Sequence, residues 1–369
     1  MYRLPEIKGI VGAKKKIINE IIVKDLSPRD RYEINKLFAN INSIDPASKT
    51  IYKANLYILL NSYIENGNLI KAQQILAIEK KKDAYDKKLN EIELKLNKEN
   101  FRKNYYETRI AIIENGNKKI PEWEWNGNTK NCYKGDLPPY IIQKIEDRIN
   151  FFRVNAGVPP IYLDSQLNDW CQRAALAMES NNRLMHELPK NWTCYSPEAS
   201  EAALYSLLTQ NINPSIAITS FMDDFKNPSL GNRRWMLYPF SMVWGVGSTK
   251  SKCVLWALDD SRIKDTLLYK TSFVAWPYDG YIHKMFLFKK WSFSINQNLS
   301  DAKITMMINK SPISFTAEKL IDGYGLPTLV WTPSIDISKL KEGDNINVSI
   351  KLKNNKVYTY NVKIFEYSP

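Results

Sequence analysis

The sequence predicts an α+β protein in three parts, and three observations predict it. Residues 15–79 repeat apolar side chains at helical spacing. Residues 140–260 pass from amphipathic helices into apolar strand-like runs, the texture of a layered α-β-α domain. Residues 270–369 break into short strand candidates separated by turns, which reads as a small antiparallel β-sandwich. These shifts of texture place a helical region at 1–115, a linker arm at 116–139, the α-β-α domain at 140–262 and the sandwich at 263–369.

In the first part, Ile17, Ile18, Ile21 and Ile22, then Ile34, Leu37 and Phe38, predict helix over 15–40, with Ser27-Pro28 starting a second segment. Residues 51–64 and 69–79 predict a helical hairpin. Leu56, Leu59, Leu60 and Tyr63 form one apolar face, Gly67 breaks the helix, and Leu69, Ala72, Ile75 and Leu76 form the returning face. Tyr63, Gly67 and Ala72 match the small and aromatic positions of a tetratricopeptide hairpin, but no second copy follows at that repeat's period. Residues 79–109, rich in Lys and Glu, predict a long exposed helix laced with i,i+4 ion pairs. The arm holds three glycines and three prolines between 116 and 139, together with Trp123 and Trp125, which are expected to pack.

In the second part, Ile141, Ile145, Ile149 and Phe152 follow a Pro-Pro start, and Gly157 ends that helix. Asp164 or Ser165 caps the next helix, with Leu167, Cys171, Ala174 and Met178 inward. A third starts at Ser196-Pro197 and carries Ala199, Ala203, Leu204, Leu207 and Leu208, and a fourth starts at Asn213-Pro214. Strands are expected at 242–247 and 253–258. In the third part, strand candidates fall at 271–276, 291–295, 303–308, 328–332, 345–353 and 357–365.

Composition limits the function classes. Net charge is +13, yet residues 151–250 hold eight basic and eight acidic side chains, so no basic groove for nucleic acid is expected there. No run of eighteen apolar residues exists to span a membrane. Met1 to Glu20 is charged and lacks an apolar h-region, so no signal peptide is visible. The cysteines at 132, 171, 194 and 253 have no C-x-x-C spacing, which disfavours zinc-ribbon and thioredoxin-type sites and leaves one or two disulfides open.

Several ordered motifs now point one way. Arg148-Ile149-Asn150-Phe151-Phe152-Arg153 with Gly157-Val158-Pro159-Pro160 is followed by Leu184-Met185-His186, by Ser200-Glu201-Ala202, and by Gly231-Asn232-Arg233-Arg234-Trp235 with Gly245-Val246-Gly247. In this order the segments resemble the CAP superfamily, the SCP-like extracellular domains. Trp125, Gly127, Cys132 and Gly135 resemble the cysteine arm of a bacterial branch that also carries a β-rich tail. The resemblance covers roughly residues 123–369 and implies a three-layer α-β-α sandwich with a central cleft.

Family members line that cleft with two histidines and one or two acids, and some bind a divalent metal there. Carried over, the first histidine is His186 and the glutamate is Glu201. The second acid falls near Asp223 or Asp224, and the second histidine falls on Asn232. The expected cleft is therefore lined by His186, Glu201, Asp223 and Asn232. The other histidine, His283, is expected on the surface of the tail. An Asn amide oxygen is a poor transition-metal ligand and no general base near neutral pH, so no divalent-metal cofactor is expected. His186 and Glu201 are the only metal or catalytic candidates. Arg233 and Arg234 are expected in structural ion pairs. The resemblance also implies a Cys132–Cys194 disulfide, which leaves Cys194 no nucleophilic partnership with His186, and Cys171 and Cys253 read as small core residues. The function expected is a non-catalytic, extracytoplasmic binding module with a degenerate metal cleft, taking a lipid, a cell-envelope polymer or a protein. The alternative is a metal-assisted or His/Glu-based hydrolase of peptide or envelope substrate.

Overall fold

The computed structural model describes residues 46–367, except 84–85, 104–110, 115–117, 122, 211–213 and 262–272. The helix expected at 15–40 lies outside the described residues. The chain divides into two compact units, Met1–Glu99 and Asn100–Pro369.

The first unit contains α1 (Pro46–Glu65), α2 (Leu69–Lys82) and most of α3 (Lys87–Phe101). Gly67, at φ +73°, turns the chain between α1 and α2, and Ala72 is fully buried where the two helices approach. The expected single helix over 79–109 is corrected on two counts. One helix ends at Lys82 and the next begins at Lys87, and Lys53 reaches back to the Asp83 and Asp86 carboxylates at 2.9 and 2.6 Å. Nor is α3 simply exposed: Leu89, Ile92 and Leu96, at i, i+3 and i+7, join Leu56, Leu60, Ile64, Leu69 and Leu76 in one apolar core. Lys80 pairs with Glu93 and Lys95 with Glu65 between helices, and Lys88 pairs with Glu91 along α3.

The second unit opens with a short hairpin, β1 (Ala111–Glu114) against β2 (Lys118–Pro121). The arm follows, closed on itself by an Asn128–Tyr133 bridge and by the Trp125 indole donating to the Lys134 carbonyl at 2.8 Å. Next come α4 (Pro139–Asn155), β3 (Tyr162–Leu163), α5 (Ser165–Ser180), α6 (Pro197–Leu204), β4 (Ser206–Gln210), α7 (Pro214–Asp223), α8 (Gly231–Met236), β5 (Val243–Ser248) and β6 (Lys252–Trp256). Asp164 caps α5 by accepting from the Gln166 and Leu167 N–H groups, and Ser196 caps α6 through Ala199.

The four strands form one sheet in the order β3-β5-β6-β4, with helices on both faces. On β5, Gly245 and Gly247 face α5 so closely that a Cβ would lie 2.5 Å from Leu167 and 2.2 Å from the Cys171 backbone. Trp244, the residue before them, points to the opposite face and lies 5.3 Å from the buried Arg153 guanidinium of α4. The alternation of strand side chains thus assigns α5 to one face and α4 to the other, which makes the α-β-α sandwich. The β3 partner of β5 is only two residues long, so N–H groups beyond it need other acceptors. Asn168 and Gln172, one turn apart on α5, accept from Val246 and Ser248 at 2.7 and 2.8 Å.

One expected helix is shortened. The apolar run assigned to the third helix of this domain includes Leu207 and Leu208, but α6 stops at Leu204 and these residues lie in β4, paired antiparallel with β6. Sheet pairing overrides the local helical pattern there.

The tail forms two sheets. One runs β11-β10-β14-β15-β8, from β8 (Gly280–His283), β10 (Lys303–Ile308), β11 (Ser311–Pro312), β14 (Asn345–Lys351) and β15 (Val357–Phe365). The other runs β12-β13-β9-β7, from β7 (Val274–Trp276), β9 (Trp291–Ser294), β12 (Phe315–Ala317) and β13 (Thr328–Pro333). All these pairings are antiparallel except β15 with β8. Trp276, Trp291, Phe293, Trp331 and Tyr360 are among the largest fully buried side chains, and they pack in its interior with Ile346, Val348, Ile350, Val362 and Ile364.

Candidate functional site

The elements that carry the expected cleft residues are α6, α7, α8 and the loop before α6. His186 is exposed, and its Nδ1–H donates to the Ala203 carbonyl in the last turn of α6, 3.0 Å away. Only Nε2 is then left to accept a proton or bind a ligand. Glu201 stands on the same helix, exposed, and no hydrogen bond or ion pair joins its carboxylate to His186.

Asn232 lies at the start of α8 and is tied to the end of α7. Its backbone N–H donates to Asp224 Oδ2 and its side-chain Nδ2 to Asp224 Oδ1, both at 2.9 Å. Asn227 adds a third donor at 3.3 Å. Burial pushes the Asp224 carboxyl up to about 6 despite these donors and the nearby Arg233 charge. Sequence reading selected Asp223 for the cleft; the carboxylate that meets Asn232 is Asp224. Asp223 uses its backbone carbonyl to accept from Arg233, its Oδ1 is buried and accepts from no described residue, and burial raises its pKa as well. The signal in the sequence was the pair Asp223-Asp224 itself, and only geometry separates the two.

The arginines beside Asn232 do not make the expected ion pairs. Arg233 is fully buried and donates to the carbonyls of Met222, Asp223 and Lys290, and to Ser292 Oγ. Its guanidinium also lies 5.6 Å from the Phe288 ring centroid. Desolvation brings it down to about 10, against the pull of Asp224 and Asp223, so it is charged at neutral pH. Arg234 donates to the Ile321 and Leu326 carbonyls and lies over Tyr324. Sequence cannot show such partners, because they are main-chain oxygens. His283 also departs from expectation: it is half-buried, stacked on Phe101 at 4.6 Å, and its Nδ1 accepts from the Met285 N–H.

Among the described residues no three His, Cys, Asp or Glu side chains are placed to hold a metal ion. The donor chemistry agrees. Asn232 presents N–H donors to Asp224 where a metal would require lone pairs, and His186 has one free nitrogen. The residues present do not fit a tightly held transition metal. Cys132 and Cys194 form the disulfide implied by the resemblance, with Cα atoms 5.3 Å apart, and it fastens the arm to the loop before α6. Cys171 and Cys253 are buried free thiols, each pushed up to about 12 by desolvation, which makes them poor nucleophiles.

The family model for CAP, the Cysteine-rich secretory protein family, matches residues 146–255, a span that runs from α4 through nearly all of β6. One similar solved structure is that of an extracellular protein containing a SCP domain from Bacillus anthracis str. Ames. It shares 22% identity with a TM-score of 0.24, over 33% of this chain and 43% of that one. The chain thus spans less than half the length of that relative. No curated protein matches.

Proposed function

We propose that this chain, whose residues 146–255 match the CAP family model, is a non-catalytic binding protein whose inherited cleft has lost its metal chemistry. The observation that carries the reading is the Asn232–Asp224 pair: Asn232, which the resemblance aligns with the family's second histidine, directs two N–H donors to the Asp224 carboxylate. A carboxylate so engaged, beside a helix start, acts as a cap and holds α7 to α8. His186 and Glu201 supply hydrogen-bonding groups at an exposed surface, and no relay joins them, so general acid–base hydrolysis has no assembled machinery. The Cys132–Cys194 disulfide supports an oxidising, extracytoplasmic setting. No described helix is long and apolar enough to cross a membrane. Calorimetric titration of zinc into the wild type and into Asn232→His tests the reading, with tight binding expected in the variant alone.

A further inference from the structure

The last turn of α6 ends in an aromatic surface that the cleft account does not use. Tyr205 is 40% exposed and lies on Trp256 with ring centroids 5.1 Å apart and planes at 23°. A ring with one face covered in this way keeps its exposure on the other face and on its edges. Behind it, Trp170 of α5 meets Trp256 at 6.2 Å, and both tryptophans are only partly buried.

The arrangement is held by the main chain. The Tyr205 carbonyl accepts from both Ala257 and Leu258, and Ser206 pairs with Trp256 in the sheet, so Tyr205, at the end of α6, is fixed beside Trp256 of β6. One helical turn before Tyr205, bonded to it through the main chain at 3.3 Å, stands Glu201, whose exposed carboxylate has no partner among the described residues.

The charge around the stack selects among ligands. Arg173 and Lys134 are both held by Asp169, at 2.7 and 3.3 Å, and Glu198 adds its field to Arg173. The Glu201 carboxylate adds an exposed negative charge one helical turn from the stack. A polyanion is repelled there. A pyranose presents the complementary chemistry: axial C–H groups of partial positive charge for the π face, and hydroxyl or ammonium donors for the carboxylate.

We propose that Tyr205, Trp256 and Glu201 form a binding platform for a neutral or amino-substituted hexose chain. The proposal names a ligand class for the binding function above. It rests on that function but not on the metal cleft, so the zinc titration can fail while this one succeeds, and the reverse.

The test uses the full chain, with oligomers of glucosamine and of N-acetylglucosamine as probes and a hexuronate oligomer as the polyanion control. Tryptophan emission and calorimetry give the readout. At least one of the two hexosamine probes binds saturably and shifts the emission, and the uronate does not bind. Tyr205→Ala, at an exposed position, weakens binding about tenfold or more, whereas Tyr205→Phe, which keeps the stacked ring, stays within about threefold of wild type. Circular dichroism confirms that both variants fold. Absence of saturable binding by both hexosamine probes up to about 10 mM, equal binding of the uronate, or unchanged affinity in Tyr205→Ala overturns the proposal.

Discussion

Asp224 has a positive φ of 46°, a conformation that aspartate tolerates better than most residues, and it accepts hydrogen bonds from Asn232 and Asn227. Its burial has a measurable consequence. The native state holds the proton up to about pH 6, whereas an unfolded aspartate releases it near its ordinary value of 3.8. Between those values the native state binds more protons, so stability falls as pH rises through the window and is level above it. Asp224→Asn removes this contribution. Urea unfolding between pH 4 and 7 should show the wild type losing stability relative to the variant across the lower part of that range; parallel curves would contradict it. The position of Asn232 was legible in the sequence because the Gly231–Trp235 motif is contiguous. Its partner was not, because two adjacent aspartates differ only in where the chain turns.

At the scale of elements, the two glycines of β5 are explained by α5 lying directly on the strand. A methyl group at Gly247 would sit 2.2 Å from the Cys171 and Gln172 backbone, which cannot move aside as a flexible side chain would. Gly247→Ala is therefore expected to destabilise the fold by about 3 kcal/mol, read as a lowered urea midpoint with an unchanged slope. A loss below about 0.5 kcal/mol would mean that α5 does not pack so closely. The helices of this layer were legible because Asp164 and Ser196 cap periodic apolar runs. Strand β4 was not, since Leu204, Leu207 and Leu208 continue the helical period and only the distant β6 draws Ser206–Gln210 into the sheet. In α3, Leu94 blurs the period and the density of Lys and Glu suggests a solvated helix, yet Leu89, Ile92 and Leu96 share a buried face.

At the scale of the second unit as a whole, α8 joins the α-β-α domain to the β-rich tail through arginines. Arg233 takes carbonyls from both sides, Met222 and Asp223 from α7 and Lys290 from the turn before β9, while Arg234 holds the Ile321–Leu326 segment. Arg233→Met leaves those buried acceptors unpaired and removes the cation near Asp224, so a loss of at least about 3 kcal/mol is expected. Unfolding in which the tail and the α-β-α domain separate into two transitions would accompany it; an unchanged midpoint would show that the arginine does not hold the two together.

If Asn232 caps a cleft that would otherwise hold a metal, zinc calorimetry on the wild type and on Asn232→His separates the two states. The wild type should bind zinc no more tightly than the millimolar range, about −4 kcal/mol, while Asn232→His should reach the micromolar range, about −8 kcal/mol. Micromolar or tighter binding by the wild type would contradict the claim, and so would a histidine variant that gains nothing.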